Sequence, residues 1–185
     1  MKVIWKIRYH EAPHVIRYCK KCGRKTEFFC SNLFRVNAQR RYLDIWLIYK
    51  CVNCDTTWNA GGYSRISPQT LPGELLERFY CNDEVLAEEY AMNMEFLNKN
   101  GVEVLLPEYS VVGERFSVGE AEEETELEIK NESALPVKVS AVVRNKLGLS
   151  QKAYLELISE GRIRSVPEQD LRKCKVNHGI TLIFR

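Results

Sequence analysis

The sequence predicts an α+β protein in three parts. These are a β-module at the N-terminus, an acidic and largely helical middle, and a C-terminal pair of helices followed by a β-hairpin. Three observations lead there. Two Cys-x-x-Cys pairs, Cys19 with Cys22 and Cys51 with Cys54, sit among β-forming residues. Charge is segregated: residues 1–65 carry 13 Lys/Arg against 4 Asp/Glu, a net of +9, residues 66–135 a net of −13, and residues 136–185 a net of +6. The last fifty residues read, from their periodicity and turn residues, as helix, tight turn, helix, strands. The parts are therefore assigned to 1–65, 66–135 and 136–185.

Twenty-eight residues separate Cys22 from Cys51, so both pairs can close on one ion. Each pair can form a tight knuckle with its two sulfurs pointing the same way. Two knuckles supply four thiolates at tetrahedral angles, the ligand set of structural Zn²⁺. A redox dithiol is the competing reading, but that motif usually occurs once, at a helix start after a strand. Thr26–Cys30 and Leu43–Lys50 read as strands, the second running straight into Cys51, and Thr56–Asn59 leaves the second knuckle as a partner strand. Gly61-Gly62 is expected to break or turn it. Strands feeding metal knuckles describe a zinc ribbon. Its four sulfurs would leave no coordination position open for catalysis. His14 is an alternative ligand and, on the plainer reading, a loop histidine like His10.

Seven cysteines, four of them at metal spacing, argue for a reducing cytoplasm rather than a disulfide framework. Cys30, Cys81 and Cys174 are expected to be small buried hydrophobes. Met1–Arg8 lacks the uninterrupted apolar stretch of a secretory signal. No segment reaches the ~20 apolar residues of a membrane span. The expectation is a cytoplasmic protein with no membrane partner.

In the middle part, Glu74–Tyr80 reads as a short helix. Asn82 or Asp83 caps the next, which places Leu86, Tyr90, Met94 and Leu97 on one stripe and ends at Asn98–Gly101. These helices read as a packed spacer with Met92 and Met94 as filler. Val102–Val112 and Glu126–Lys130 look extended. The acidic run 119–124 between them is a solvated loop, or a segment that docks on a basic module when nucleic acid is absent.

In the last part, Val137–Lys146 reads as a helix ended by Gly148, and Ser150 caps a second helix ended by Gly161, with Leu149 placed to pack on Tyr154. Arg162–Arg164 is a short basic strand. Arg172–Val176 and Ile180–Phe184 form a hairpin turned at Asn177–Gly179. The run Leu147–Lys152, then Leu157-Ile158, then Gly161–Arg164 resembles the alpha-L RNA-binding domain of the fourth small-subunit ribosomal protein. The resemblance implies that Ser150, Lys152, Arg162 and Arg164 face RNA backbone. Gln151-Lys152 stands where that family has two arginines, and Ser165-Val166-Pro167 replaces its Val-Asn-Gly turn. A winged or helix-turn-helix DNA binder reads the same elements differently. The whole chain is similar to a bacterial family catalogued as domain of unknown function 1062. Ile4–Arg8, Phe34–Ala38, Asp44–Cys51 and Thr57–Asn59 carry that likeness, which implies a cytoplasmic bacterial protein and no particular activity.

No Ser-His-Asp arrangement, phosphate-cradling loop or dinucleotide fingerprint is present, so a non-enzyme is expected. Lys20, Lys21, Arg24, Lys25 and Lys50 can balance the −2 of a Zn²⁺ with four thiolates. The rest of the basic excess is available for phosphate. The expected RNA-binding residues are Arg35, Arg40 and Arg41 in the first part. In the last part they are Arg144, Lys146, Ser150, Lys152, Arg162, Arg164, Arg172 and Lys173. Phe28, Phe29, Trp46 and Trp58 can stack on bases or fill the core. The sequence thus points to a zinc-containing protein that binds structured RNA. A DNA-binding transcriptional regulator and a protein-interaction adaptor that uses the ribbon are the alternatives.

Overall fold

The computed structural model describes residues 1–39, 41–118, 124–133 and 135–185, and strand outweighs helix in it. Arg40 and most of the acidic run 119–124 lie outside the described residues. The chain divides into two compact units: Met1–His10 with Glu108–Arg185, and Glu11–Pro107.

Strand β1 (Lys2–Tyr9) opens the first unit with strict alternation, Val3, Trp5 and Ile7 being buried between exposed neighbours. The chain then builds the second unit from β2 (His14–Cys19), β3 (Arg24–Gln39), β4 (Tyr42–Cys51) and β5 (Thr57–Ile66). A 3₁₀ turn at Pro68–Thr70 leads to α1 (Gly73–Tyr80), α2 (Glu84–Ala91) and α3 (Met94–Lys99), and β6 (Glu103–Leu105) closes the unit. Its sheet is antiparallel throughout, in the order β5-β4-β3-β2-β6. Leu43, Ile45, Leu47, Tyr49 and Cys51 of β4 all turn to one face. There Ile45, Leu47, Tyr49 and Cys51 form a core with Phe79 of α1, Leu86, Ala87 and Ala91 of α2, and Phe96 and Leu97 of α3. Phe34, Phe79 and Tyr90 meet edge to face at 4.8–5.8 Å within it.

The first unit resumes with β7 (Tyr109–Val112) and β8 (Thr125–Asn131), followed by β9 (Val137–Lys138), α4 (Val139–Leu147), α5 (Gln151–Ser159), β10 (Ile163–Val166), β11 (Lys175–Val176) and β12 (Gly179–Phe184). Its sheet runs β10-β12-β8-β1-β7, with β1 and β8 parallel and the other pairs antiparallel. Val139, Val142 and Val143 of α4 and Tyr154 and Leu157 of α5 join Trp5, Leu127, Ile129 and Leu182 of the sheet in one core. Inside it the Asn131 amide donates to the carbonyls of Leu135 and Val176 at 2.7 and 3.0 Å, so a buried polar side chain is satisfied by backbone.

The structure departs from the sequence reading at several points, each with a local cause. The boundaries at 65 and 135 do not coincide with those of the two units, because sheet pairing joins β1 to β8 across more than a hundred residues while charge records only surface composition. The acidic helices are not a separate spacer. They cover the apolar face of the sheet that carries the cysteines. The strand after the second knuckle runs through Gly61-Gly62 to Ile66, since Asn100 stands in for a missing ladder partner: its Oδ1 accepts from Gly61 N–H at 2.7 Å and its Nδ2 donates to Gly61 O at 3.1 Å.

The single stripe from Leu86 to Leu97 is two helices. Asp83 caps the first by accepting from Leu86 N–H at 2.7 Å, and Asn93 caps the second by accepting from Phe96 N–H at 3.0 Å. Val102–Val112 splits at Pro107 into β6 and β7, one in each unit. The helix expected from Val137 begins at Val139, after the two residues of β9. The C-terminal strands do not pair with each other. β11 pairs with β9, whereas β12 enters between β8 and β10, where its alternate Ile180, Leu182 and Phe184 find a core. Cys81 is exposed, while Cys30 and Cys174 are half-buried.

Other expectations hold. Ser150 accepts from Ala153 N–H at 3.0 Å as an N-cap, and Gly101 and Gly148 take positive φ at helix ends.

Asn100→Ala removes both bonds to the Gly61 backbone. It should destabilise the protein by about 1–3 kcal/mol in a denaturant titration, the cost of leaving a half-buried strand amide and carbonyl unpaired.

Candidate metal centre

Each Cys-x-x-Cys pair forms the turn between two strands. Cys19 ends β2 and pairs with Arg24 at the start of β3, and Cys51 ends β4, with Thr57 opening β5. The two turns repeat one geometry. Gly23 N–H donates to Cys19 O at 2.9 Å and Asp55 N–H donates to Cys51 O at 3.0 Å. Gly23 and Asp55, the residues just after the second cysteine of each pair, have φ of +68° and +57°. At Gly23 the lack of a Cβ makes that conformation easy, and Asp belongs with Asn among the non-glycine residues that tolerate it.

Pairing of β3 with β4 sets Phe28 opposite Cys51 and so brings the turns to the same end of the sheet. All four sulfurs lie within 4.8 Å of one another, Cys19 to Cys54 at 3.5 Å and Cys22 to Cys51 at 3.9 Å. No disulfide joins them. Sulfurs placed about 2.3 Å from a tetrahedral ion stand about 3.8 Å apart, so the cluster has the dimensions of a single-ion site. Cys19 and Cys51 are buried, and Cys22 and Cys54 are partly so.

The surroundings favour thiolate on one turn. Burial alone pushes the Cys51 thiol up. Hydrogen bonds from the Thr26 hydroxyl, 3.2 Å away, and from the amides of Asn53 and Cys54 outweigh it and bring Cys51 down to about 6. The Thr56 hydroxyl and amide likewise lower Cys54, the hydroxyl lying 3.1 Å from its sulfur. Cys22 is pushed up to about 12, first by its hydrogen bond with Cys54 and then by burial. A site with two sulfurs inclined to ionise and a third that resists is short of positive charge, which a cation shared by all four supplies. The two threonines were not anticipated. Thr56, two residues after Cys54, carried a signal in its spacing, whereas Thr26 is brought in only by strand pairing.

His14 is no part of the cluster: its Nδ1 lies 3.2 Å from Glu27 Oε2. His10 belongs to the other unit. Arg17 lies over the Trp58 ring at 4.0 Å, and Trp58 in turn packs on Tyr49, so that tryptophan supports the core beside the cysteines. Phe28 is buried there as well.

The basic residues singled out in the sequence fall in different settings. Arg35 and Arg41 are exposed, but they lie toward the β3–β4 turn, at the end of the hairpin away from the cysteines, Arg35 about 23 Å of strand from Phe28. Lys146 donates to Val111 O at 2.8 Å and Ser150 is committed to its cap, so both serve the fold. Arg144 donates to Gln151 Oε1 at 2.7 Å. Lys152 is exposed and faces Glu156 at 3.7 Å, and Arg162 faces Glu160 at 3.8 Å. Arg164, Arg172 and Lys173 are exposed and, among the described residues, in no ion pair.

A family model described as "Protein of unknown function (DUF1062)" matches residues 36–169, a stretch that includes Cys51 and Cys54 but begins after Cys19 and Cys22. No curated protein and no solved structure matches the chain.

An ion held by four sulfurs on two separate hairpin turns would make metal binding and folding of this unit one event. Elemental analysis of purified protein should find about one metal ion per chain, and Cys51→Ser should lose it. A strong chelator should abolish the cooperative thermal transition of the Glu11–Pro107 unit, read by near-ultraviolet circular dichroism.

Proposed function

The chain belongs to the DUF1062 family, and we propose that it is a non-catalytic, zinc-containing protein that binds structured RNA in the cytoplasm. The observation that carries this reading is a four-sulfur site with free cations in and beside its first turn. Lys20, Lys21, Arg24 and Lys25 flank the knuckles, are exposed and, among the described residues, form no ion pair. Four thiolates favour Zn²⁺ and leave it no open position, so the ion ties a zinc ribbon together and takes no part in a reaction. Cations in excess of what that site needs are chemistry for phosphate.

The C-terminal segment supports the same reading. Helices α4 and α5, joined through Gly148-Leu149-Ser150 and followed by β10, have the order of an alpha-L or helix-turn-helix module. Arg164, Arg172 and Lys173 are exposed cations of this segment that, among the described residues, form no ion pair. Lys152 is held by Glu156, and Arg162 by Glu160 and by a 3.4 Å hydrogen bond from its Nε to Arg185 O. The carboxylates are partly exposed, and such pairs are worth at most about 1 kcal/mol and can be displaced by phosphate. Lys146 and Ser150 contribute by shaping the segment. Arg144 stands close to that role, since its guanidinium already holds Gln151.

Crosslinking in cells followed by sequencing of bound RNA should recover a defined set of structured RNAs. In vitro, replacing Arg164, Arg172 and Lys173 by Ala should weaken binding of a recovered RNA and flatten the slope of log affinity against log salt by about 2 to 3. Retention of DNA without RNA would make the protein a DNA-binding regulator. Failure to bind either would leave an adaptor that recognises protein through its ribbon.

A further inference from the structure

The sheet of the Glu11–Pro107 unit has a second face that its core does not use. On β2, β3 and β4 alternate residues turn away from the helices, and among them aromatic and cationic side chains stand directly opposite one another. Tyr18 pairs with Lys25, Phe29 with Lys50, and Trp46 with Arg35. Tyr18 is 61% exposed. Phe29 and Trp46 are half-buried yet pack with neither hydrophobic core. Among the described residues Lys25, Lys50 and Arg35 have no carboxylate partner, and Glu27 between them is engaged by His14 at 3.2 Å. Lys25 and Lys50 alternate with Thr26 and Cys51, so their side chains leave the sheet on the face opposite the Cys51 sulfur and are not held by the metal site.

We infer that this face is a platform for single-stranded nucleic acid, with bases stacked on Tyr18, Phe29 and Trp46 and phosphates on Lys25, Lys50 and Arg35. The inference rests on the nucleic-acid reading above and assigns it a strand state and a surface. A protein partner would be served by apolar area alone. Three ring–cation neighbours ask for a ligand that repeats a flat face and a negative charge, as each nucleotide does. Duplex buries its base faces and offers only the charge. Lys25 to Arg35 covers on the order of 30 Å of strand, a length suited to single-strand sites of about 4–16 nucleotides.

The test uses the full chain with its metal bound, titrated with a 12-nucleotide oligouridylate and with a 12-base-pair RNA duplex. The oligouridylate should bind more tightly and quench tryptophan fluorescence. Trp46→Phe should remove most of that quenching, because Trp5 is buried and Trp58 lies beneath Arg17. Tyr18→Ala and Arg35→Ala, both at exposed positions, should each weaken oligouridylate binding, about tenfold for the stacking residue. Metal content and circular dichroism should stay at the wild-type level, and Lys25→Ala replaces any variant that misfolds. Unchanged oligouridylate affinity in these variants, with loss in the Arg164, Arg172 and Lys173 variant, overturns the platform and leaves the RNA-binding reading standing. Preference for duplex does the same. Binding to neither probe nor to any structured RNA, with Tyr18→Ala altering self-association in sedimentation instead, overturns both.

Discussion

The Glu11–Pro107 unit depends on the meeting of four sulfurs at one end of its sheet. Sulfurs this close, two of them inclined to ionise, are unfavourable neighbours unless a positive charge lies among them. The strands enforce that closeness. β2 hands Cys19 to the first turn, β4 hands Cys51 to the second, and the β3–β4 ladder aligns the turns. A site drawn from two hairpins fixes the relation of four strands at a single point. This is how a small sheet gains order that its core alone would supply weakly.

Alternation then gives the sheet two different surfaces. Along β4 the odd positions, Leu43 to Cys51, feed the core and the metal end, while Asp44, Trp46, Ile48 and Lys50 turn the other way. A one-residue slip would exchange these sets, so the register that aligns the sulfurs also decides which rings and cations face outward. The chemistry of the site and the chemistry of the open face are therefore consequences of the same pairing. In the other unit, the parallel pair β1–β8 plays the organising part, with Trp5 and Ile129 at the centre of a core capped by α4 and α5.

Much of this was legible in the chain. The cysteine spacing defines the four-sulfur cluster, the β-formers around Leu43–Lys50 define β4, and Ser150, Gly148 and Gly101 mark helix ends where the structure has them. What escaped was nonlocal. A helical stripe from Leu86 to Leu97 hides the break at Met92-Asn93, because periodicity does not register a second cap. Gly61-Gly62 reads as a stop until Asn100, nearly forty residues later, is seen to satisfy its backbone. The expected C-terminal hairpin fails because adjacency in sequence says nothing of which strand offers a better ladder.

Local chemistry was thus determined by the sequence itself: which sulfurs can share a metal ion, which residues prefer strand or helix, and where turns and caps fall. These follow from side-chain type and short spacing. The tertiary structure decided the partners. Strand pairing joined Met1–His10 to the C-terminal residues, set the acidic helices on the cysteine-bearing sheet, drew Thr26 to Cys51, and separated the Arg35 end of the sheet from the metal end. Such choices depend on which apolar faces can be buried together and which backbone groups can be satisfied at once. Both are properties of the folded chain as a whole.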